Sequence, residues 1–245
     1  MKNEELFLEK GHNELVPLRY EVETEKSPTE AYALIREYDD TGYTFLLESA
    51  DTEDQSIKKV DSSQPLNDRG KYSAIGYNPR AVVEIGSNKA SIEDLEVDTD
   101  LDFSESVLDG HIRNGYDQID VLRDVMPDVE VLNGDENRPN LTGGLVGFHP
   151  YEIIYDIKPV ESPLEELDSS SMFVVSDRQL EYDHVEDSIE LVFTPLANEQ
   201  MEPENQLEQL RDESEEMEKI LSEDVEIPNN IEVLSQNPGR KDNYE

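Results

Sequence analysis

Three strand-like blocks near the C-terminal end constrain the fold of this chain more than any other feature. Ser171–Ser176 and Ser188–Thr194 are rich in Val, Phe, Ile and Leu, and Gln179–His184 carries Leu180 and Tyr182 among polar residues. Only Asp177-Arg178 and Val185–Asp187 separate them, so they are predicted to fold back on one another as an antiparallel meander. A long amphipathic helix is predicted after them, over Glu204–Leu221. Leu207, Leu210, Met217 and Leu221 form its apolar seam, Ser214 takes one slot, and the other faces are acidic. Successive strands followed by a helix indicate an α+β chain of largely antiparallel sheets with flanking helices.

Charge narrows the function. The 245 residues hold 60 Asp+Glu against 20 Lys+Arg, a net charge of −40, where a small domain ordinarily carries about 2–8 in magnitude. Nucleic-acid binding needs clustered Lys and Arg, and so does adhesion to an anionic membrane; neither is expected. No apolar run approaches the ~20 residues of a membrane span, and Met1–Lys10 has no signal-peptide core. The absence of Cys excludes disulfides, thiolate metal sites and Cys nucleophiles and fits a cytoplasmic protein. Low hydrophobicity with high net charge is also a signature of disorder. The core-forming blocks Tyr43–Leu47, Met172–Val175 and Ile189–Phe193 decide instead for a folded chain from a salty cytoplasm. At 1 M salt the Debye length is about 3 Å, and surface acids barely repel.

Upstream, Ser27-Pro28-Thr29-Glu30 predicts a helix start, with Ser27 as cap, Pro28 in the first turn and Glu30 closing a capping box. Ala31, Leu34, Ile35 and Tyr38 follow at the spacing of one buried face. Gly42 ends this helix, and Tyr43–Glu48 is predicted as a strand. Residues 51–70 are polar, with Asp61–Pro65 as a loop. A hairpin is predicted over Lys71–Tyr77 and Ala81–Ile85, joined across Asn78-Pro79-Arg80. The acidic run 93–105 reads as a solvated connection, and Tyr116–Met126 as a helix with Ile119, Leu122, Val125 and Met126 inward. Asn133–Asn140 reads as a linker, Leu141–Phe148 as a glycine-rich strand and Pro150–Ile157 as a short helix.

Most motifs in the chain have a structural reading. Asp98, Asp100, Asp102 and Asp109 imitate a calcium loop, but Phe103 stands where the turn needs Gly and Asp109 replaces the bidentate Glu, so an acidic surface loop is expected. The histidines His12, His111, His149 and His184 show no paired metal spacing, and His184 beside Asp183 reads as a strand end. Gly143-Gly144-Leu145-Val146-Gly147 lacks both the glycine order and the Lys-Ser/Thr pair of a phosphate cradle, and it is read as packing glycines in a strand. Leu46-Leu47-Glu48-Ser49 differs: a carboxylate and a hydroxyl directly follow an apolar run. Such a pair suits a small zwitterion, the carboxylate taking an ammonium and the hydroxyl bonding beside it.

Four motifs then follow in order. They are Leu-Leu-Glu-Ser-Ala at 46–50, Lys-Tyr-Ser-Ala-Ile-Gly-Tyr-Asn-Pro at 71–79, Gly-Gly-Leu-Val-Gly-Phe at 143–148 with Tyr151-Glu152 behind it, and Tyr182-Asp183-His184. Together they resemble the N-terminal region of anthranilate synthase component I, of the chorismate-utilising enzymes, and the acidity resembles a haloarchaeal version. The resemblance implies a tail over 1–14, the family's N-terminal region over 15–228, and over 229–245 a linker with the start of a chorismate-binding region. It implies an α/β sandwich and half of an allosteric tryptophan pocket. Glu48 and Ser49 would contact the amino-acid end of L-tryptophan, with Lys71 or Tyr72 nearby after a long insertion.

The family's reaction converts chorismate and ammonia to anthranilate and pyruvate. It uses Mg²⁺, and its ammonia comes from component II, a glutamine amidotransferase. The chorismate site and Mg²⁺ carboxylates belong to the C-terminal region, whose first helix would begin near Arg240–Tyr244. No catalytic residue or metal ligand is therefore expected in this chain, and alone it is expected to be inactive. Aminodeoxychorismate synthase component I shares the layout; the Leu-Leu-Glu-Ser-Ala form favours the anthranilate branch. A third reading, a non-catalytic acidic module for basic partners, rests on charge alone.

Overall fold

The computed structural model describes residues 2–10, 14–48, 72–86, 90–95, 118–126, 131–132, 141–151, 153, 170–184, 186–195 and 202–225. Among them, nine strands form two antiparallel sheets with four helices, an α+β architecture. The first sheet has the order β1-β9-β8-β3-β2, built from β1 (Leu18–Glu21), β2 (Phe45–Leu47), β3 (Tyr72–Gly76), β8 (Arg178–Asp183) and β9 (Ser188–Phe193). The second has the order β5-β4-β7-β6, built from β4 (Ala81–Ile85), β5 (Ala90–Asp94), β6 (Gly144–Phe148) and β7 (Ser171–Ser176).

Helices α1 (Glu4–Lys10), α2 (Pro28–Tyr38) and α4 (Pro203–Leu221) cover one face of the first sheet. Phe7, Ala31, Ile35, Leu207, Leu210, Met217 and Leu221 pack there against Ile75, Leu180, Leu191 and Phe193. Helix α3 (Gln118–Val125) places Val121 and Val125 against Val83, Ile85, Phe173 and Val175 of the second sheet.

Helix starts and seams follow the local sequence. Ser27 N donates to Glu30 Oε2 at 2.9 Å and Glu30 N donates to Ser27 Oγ at 3.4 Å, the reciprocal capping box. In α4, Ser214 is buried in the apolar seam, and its hydroxyl donates to the Arg211 carbonyl at 2.7 Å, so the polar atom is satisfied locally. In α3 the buried stripe is Gln118, Val121 and Val125, and Met126, expected inward, is 40% exposed.

Strand pairing departs from the local expectation at two places. β3 pairs with β2 and β8, whereas β4 pairs with β5 and β7, so Lys71–Ile85 is not a hairpin. β8 and β9 do form a hairpin, but β7 pairs with β4 and β6, so the expected meander is broken at Asp177. The chain crosses from one sheet to the other at both points, and the corners lie side by side. Arg80 N donates to Val175 O at 2.9 Å and Tyr77 N to Arg178 O at 3.4 Å. The buried Arg80 guanidinium also donates through Nε to the buried Asp177 carboxylate. Short gaps suit a sharp bend between sheets as well as a hairpin. The long-range ion pair selects the bend.

Strand β5 lies where a solvated connection was expected to begin. Glu93 falls on an edge strand beside β4, and Ala90 and Ile92 of the same strand pack into the core. Of the β6 glycines, Gly147 serves packing as predicted, whereas Gly144 has room at its Cβ position and stands at φ +117°. A Cβ on Gly147 would lie 2.0 Å from the Met172 carbonyl oxygen, a contact no side chain tolerates. The acidic run with Asp98, Asp100, Asp102 and Asp109 lies outside the described residues, as do residues 51–70, the linker 133–140 and most of 150–157.

Candidate functional site

Glu48 leaves the end of β2, the edge strand of the first sheet, and is exposed. β2 runs antiparallel to β3 with Leu47 opposite Ala74, so the exit of β2 lies beside the entry of β3. Glu48 and Tyr72 are thereby brought to one end of the sheet. Tyr72 is half-buried at the first position of β3, in register with Asp183. The other two predicted contacts, Ser49 and Lys71, lie outside the described residues.

Two local devices fix the opposite end of this strand pair, where β2 enters and β3 exits. The Asp39 carboxylate accepts from Thr41 N at 2.7 Å and Gly42 N at 3.0 Å through Oδ1, and from Asn78 N at 2.6 Å through Oδ2. One side chain thus ties the approach to β2 to the corner between the sheets. The Phe45 ring fills the space over Gly76, where a Cβ would lie 2.0 Å from Phe45 Cε1, so the absent side chain lets β2 close onto β3.

Sequence reasoning missed the pair beside Glu48. Ser73 Oγ lies 2.8 Å from Nε2 of His184. Ser73 is 1% exposed, whereas His184 is exposed and its ring stacks on Tyr182 with centroids 6.2 Å apart. Register pairs Ser73 with Tyr182 and Ile75 with Leu180, so alternation sets Ser73 on the helix-covered face with these core residues. The Tyr182 hydroxyl donates to the Lys26 carbonyl at 3.1 Å, linking this end to the start of α2. Burial, with the Glu30 charge second, pushes the Tyr182 phenol well up. The available signal was a period-two count along β3, which puts a hydroxyl on a core face where it needs a partner.

Other polar clusters bond within the fold. Arg178 Nη1 donates to Asp177 Oδ1 at 2.9 Å, Arg178 Nε to Glu213 Oε1 at 3.0 Å, and the Tyr77 hydroxyl to Glu213 Oε1 at 3.1 Å. Burial pushes the Asp177 carboxyl up, but Arg178 and Arg80 outweigh it and hold the group below its ordinary range. Burial raises Glu213 despite Arg178. Arg19 Nη1 donates to Glu181 at 3.0 Å and to Glu190 at 3.1 Å on the opposite face of the first sheet. His149 Nδ1 lies 2.7 Å from Ser171 Oγ, and burial holds its pKa down. A mainly apolar cavity beside Met126, Gly144 and Ser176 measures about 70 Å³, small against the roughly 300–1,000 Å³ of ligand pockets. Among the described residues, no three His, Asp or Glu side chains are grouped to hold a metal, and no helix is long and apolar enough to cross a membrane.

No family model matches the chain. "Anthranilate synthase component 1 2" of Haloarcula marismortui is 34% identical over 219 residues, covering 83% of this chain and 38% of that protein. "Anthranilate synthase component 1" of Haloferax volcanii is 33% identical over 226 residues, covering 89% of this chain and 41% of that protein. Among solved structures, anthranilate synthase component I from Streptococcus pneumoniae TIGR4 matches at 18% identity and a TM-score of 0.33, over 69% of this chain and 36% of that one. The chain spans about two fifths of the length of these curated relatives.

Proposed function

We infer that this chain is the N-terminal, tryptophan-sensing part of an anthranilate synthase component I, its homology to haloarchaeal proteins of that name being the premise. The observation that carries the reading is that homology, 34% and 33% identity over 83% and 89% of the chain. The juxtaposed exit of β2 and entry of β3 support the site: Glu48 and the start of β3 share one end of the sheet. In this reading the Glu48 carboxylate takes the ammonium of L-tryptophan, the Ser49 hydroxyl bonds beside it, and Lys71 and Tyr72 flank the pair.

The whole enzyme would convert chorismate and ammonia to anthranilate and pyruvate in a salty cytoplasm, with ammonia delivered by a component II glutamine amidotransferase. The chorismate site and the Mg²⁺ ligands fall to the length that the relatives have beyond the match. The described residues hold no grouping that fits Mg²⁺, and no chemical step is assigned to them. Their contribution is regulatory: tryptophan held at the sheet edge biases the catalytic region.

Calorimetry with L-tryptophan on the chain joined to a chorismate-binding region, in multimolar salt, tests this. Ser49→Ala is expected to weaken binding about tenfold, the loss of one hydrogen bond to a charged group. Unchanged tryptophan binding in that variant would remove the site assignment.

A further inference from the structure

The Ser73–His184 pair has a direction that its surroundings decide. Ser73 is 1% exposed, and its hydroxyl has one partner among the described residues, Nε2 of His184 at 2.8 Å. A buried hydroxyl whose hydrogen finds no acceptor loses its full desolvation cost, while a spare lone pair is cheaper to leave. Ser73 therefore donates and Nε2 accepts. In a neutral imidazole that puts the ring proton on Nδ1. His184 is exposed, and no described residue bonds its Nδ1. The ring is held on one side by Ser73 and on its flat side by Tyr182. The end of the sheet thus presents an oriented N–H donor to solvent.

An acceptor stands next to it. One step beyond the Leu47–Ala74 pair, the register brings Glu48 opposite Ser73, and period-two alternation puts both on one face. A carboxylate on β2 and an N–H at the end of β8 then flank a single buried hydroxyl on β3. That spacing suits both ends of one amino-acid zwitterion, the ammonium on Glu48 and the carboxylate on the imidazole N–H.

We propose that His184 completes the amino-acid site as hydrogen-bond donor to the ligand carboxylate, with Ser73 as the positioning residue that sets its tautomer. The proposal rests on the tryptophan-sensing reading given above.

Two measurements test it. Nitrogen NMR of the 245-residue chain reads the tautomer: His184 is expected to carry its proton on Nδ1, and Ser73→Ala to convert it to a mixture. A proton on Nε2 in the parent chain would overturn the assignment. Calorimetry on the chain joined to a chorismate-binding region then compares L-tryptophan with tryptamine, which lacks the whole carboxyl group and so offers His184 no acceptor. His184→Ala is expected to weaken L-tryptophan at least tenfold and leave tryptamine unchanged, with His184→Asn, which keeps a donor, recovering part of the loss. Equal loss for both ligands, or none for either, overturns the role of His184. Glu48→Gln separates the two levels. If it weakens L-tryptophan while His184→Ala does not, only this inference falls. If both variants bind L-tryptophan as the parent does, the tryptophan-sensing reading falls with it.

Discussion

Both crossings between the sheets meet on the carboxylate of Asp177. Arg80 and Arg178 both donate to it, and all three side chains are largely removed from water. Removing one partner of a buried ion pair typically costs about 3–5 kcal/mol. Asp177→Ala is expected to lose stability in that range, measured by denaturant unfolding. Tyr77, bonded to Glu213, sets an alkaline limit. Burial first, then the Glu213 charge, raises its phenol well above the ordinary value. The fold therefore favours the neutral phenol. Its stabilisation is complete below the unfolded pKa of about 10 and is lost as pH rises through the higher folded value. Tyr77→Phe is expected to flatten part of the fall in unfolding midpoint above pH ~10. The capping box at Ser27 was legible because its partners stand three residues apart. Ser73 and His184 stand 111 residues apart, and nothing local links them.

Among the elements, the existence of β2 to β4 and of β6 to β9 was legible, β1 and β5 were not foreseen, and partnership was legible only for the β8–β9 hairpin. β7, β8 and β9 lie close to where their strand-like blocks predicted, because the apolar pattern of a strand is a property of its own residues. β7 nonetheless belongs to a different sheet from β8. The same holds for β3 and β4, joined by Asn78 at φ +40° rather than by a hairpin turn. Gly147 of β6 shows what local reading does capture. A methyl group on Gly147 would strike the Met172 backbone, which cannot rotate away as the Phe45 ring over Gly76 can. Gly147→Ala is expected to cost about 1–3 kcal/mol, the range for overpacking, and Gly76→Ala less. Thermal melts of the two variants side by side check the order.

For the whole molecule, the net charge of −40 makes a prediction about solvent. Unscreened, that many like charges repel across a fold whose net stability is only about 5–15 kcal/mol. Removing salt is expected to unfold the chain, and far-UV circular dichroism across a salt titration from multimolar to dilute buffer measures it. A full native signal in dilute buffer would overturn the salt-adapted reading.

The sequence by itself determined the α+β class, the cap of α2, the seams of α2 and α4, the close packing at Gly147 of β6 and a motif order that its haloarchaeal relatives bear out as kinship. These depend on periodicity, on neighbours within a few residues, or on inheritance. Tertiary structure alone decided which strands share a sheet, that Arg80 meets Asp177, that the exit of β2 lies beside the entry of β3, and that Ser73 meets His184. Each of these joins groups distant in the chain, and burial sets their strength: a charge or hydroxyl away from water must find its partner wherever the fold brings one.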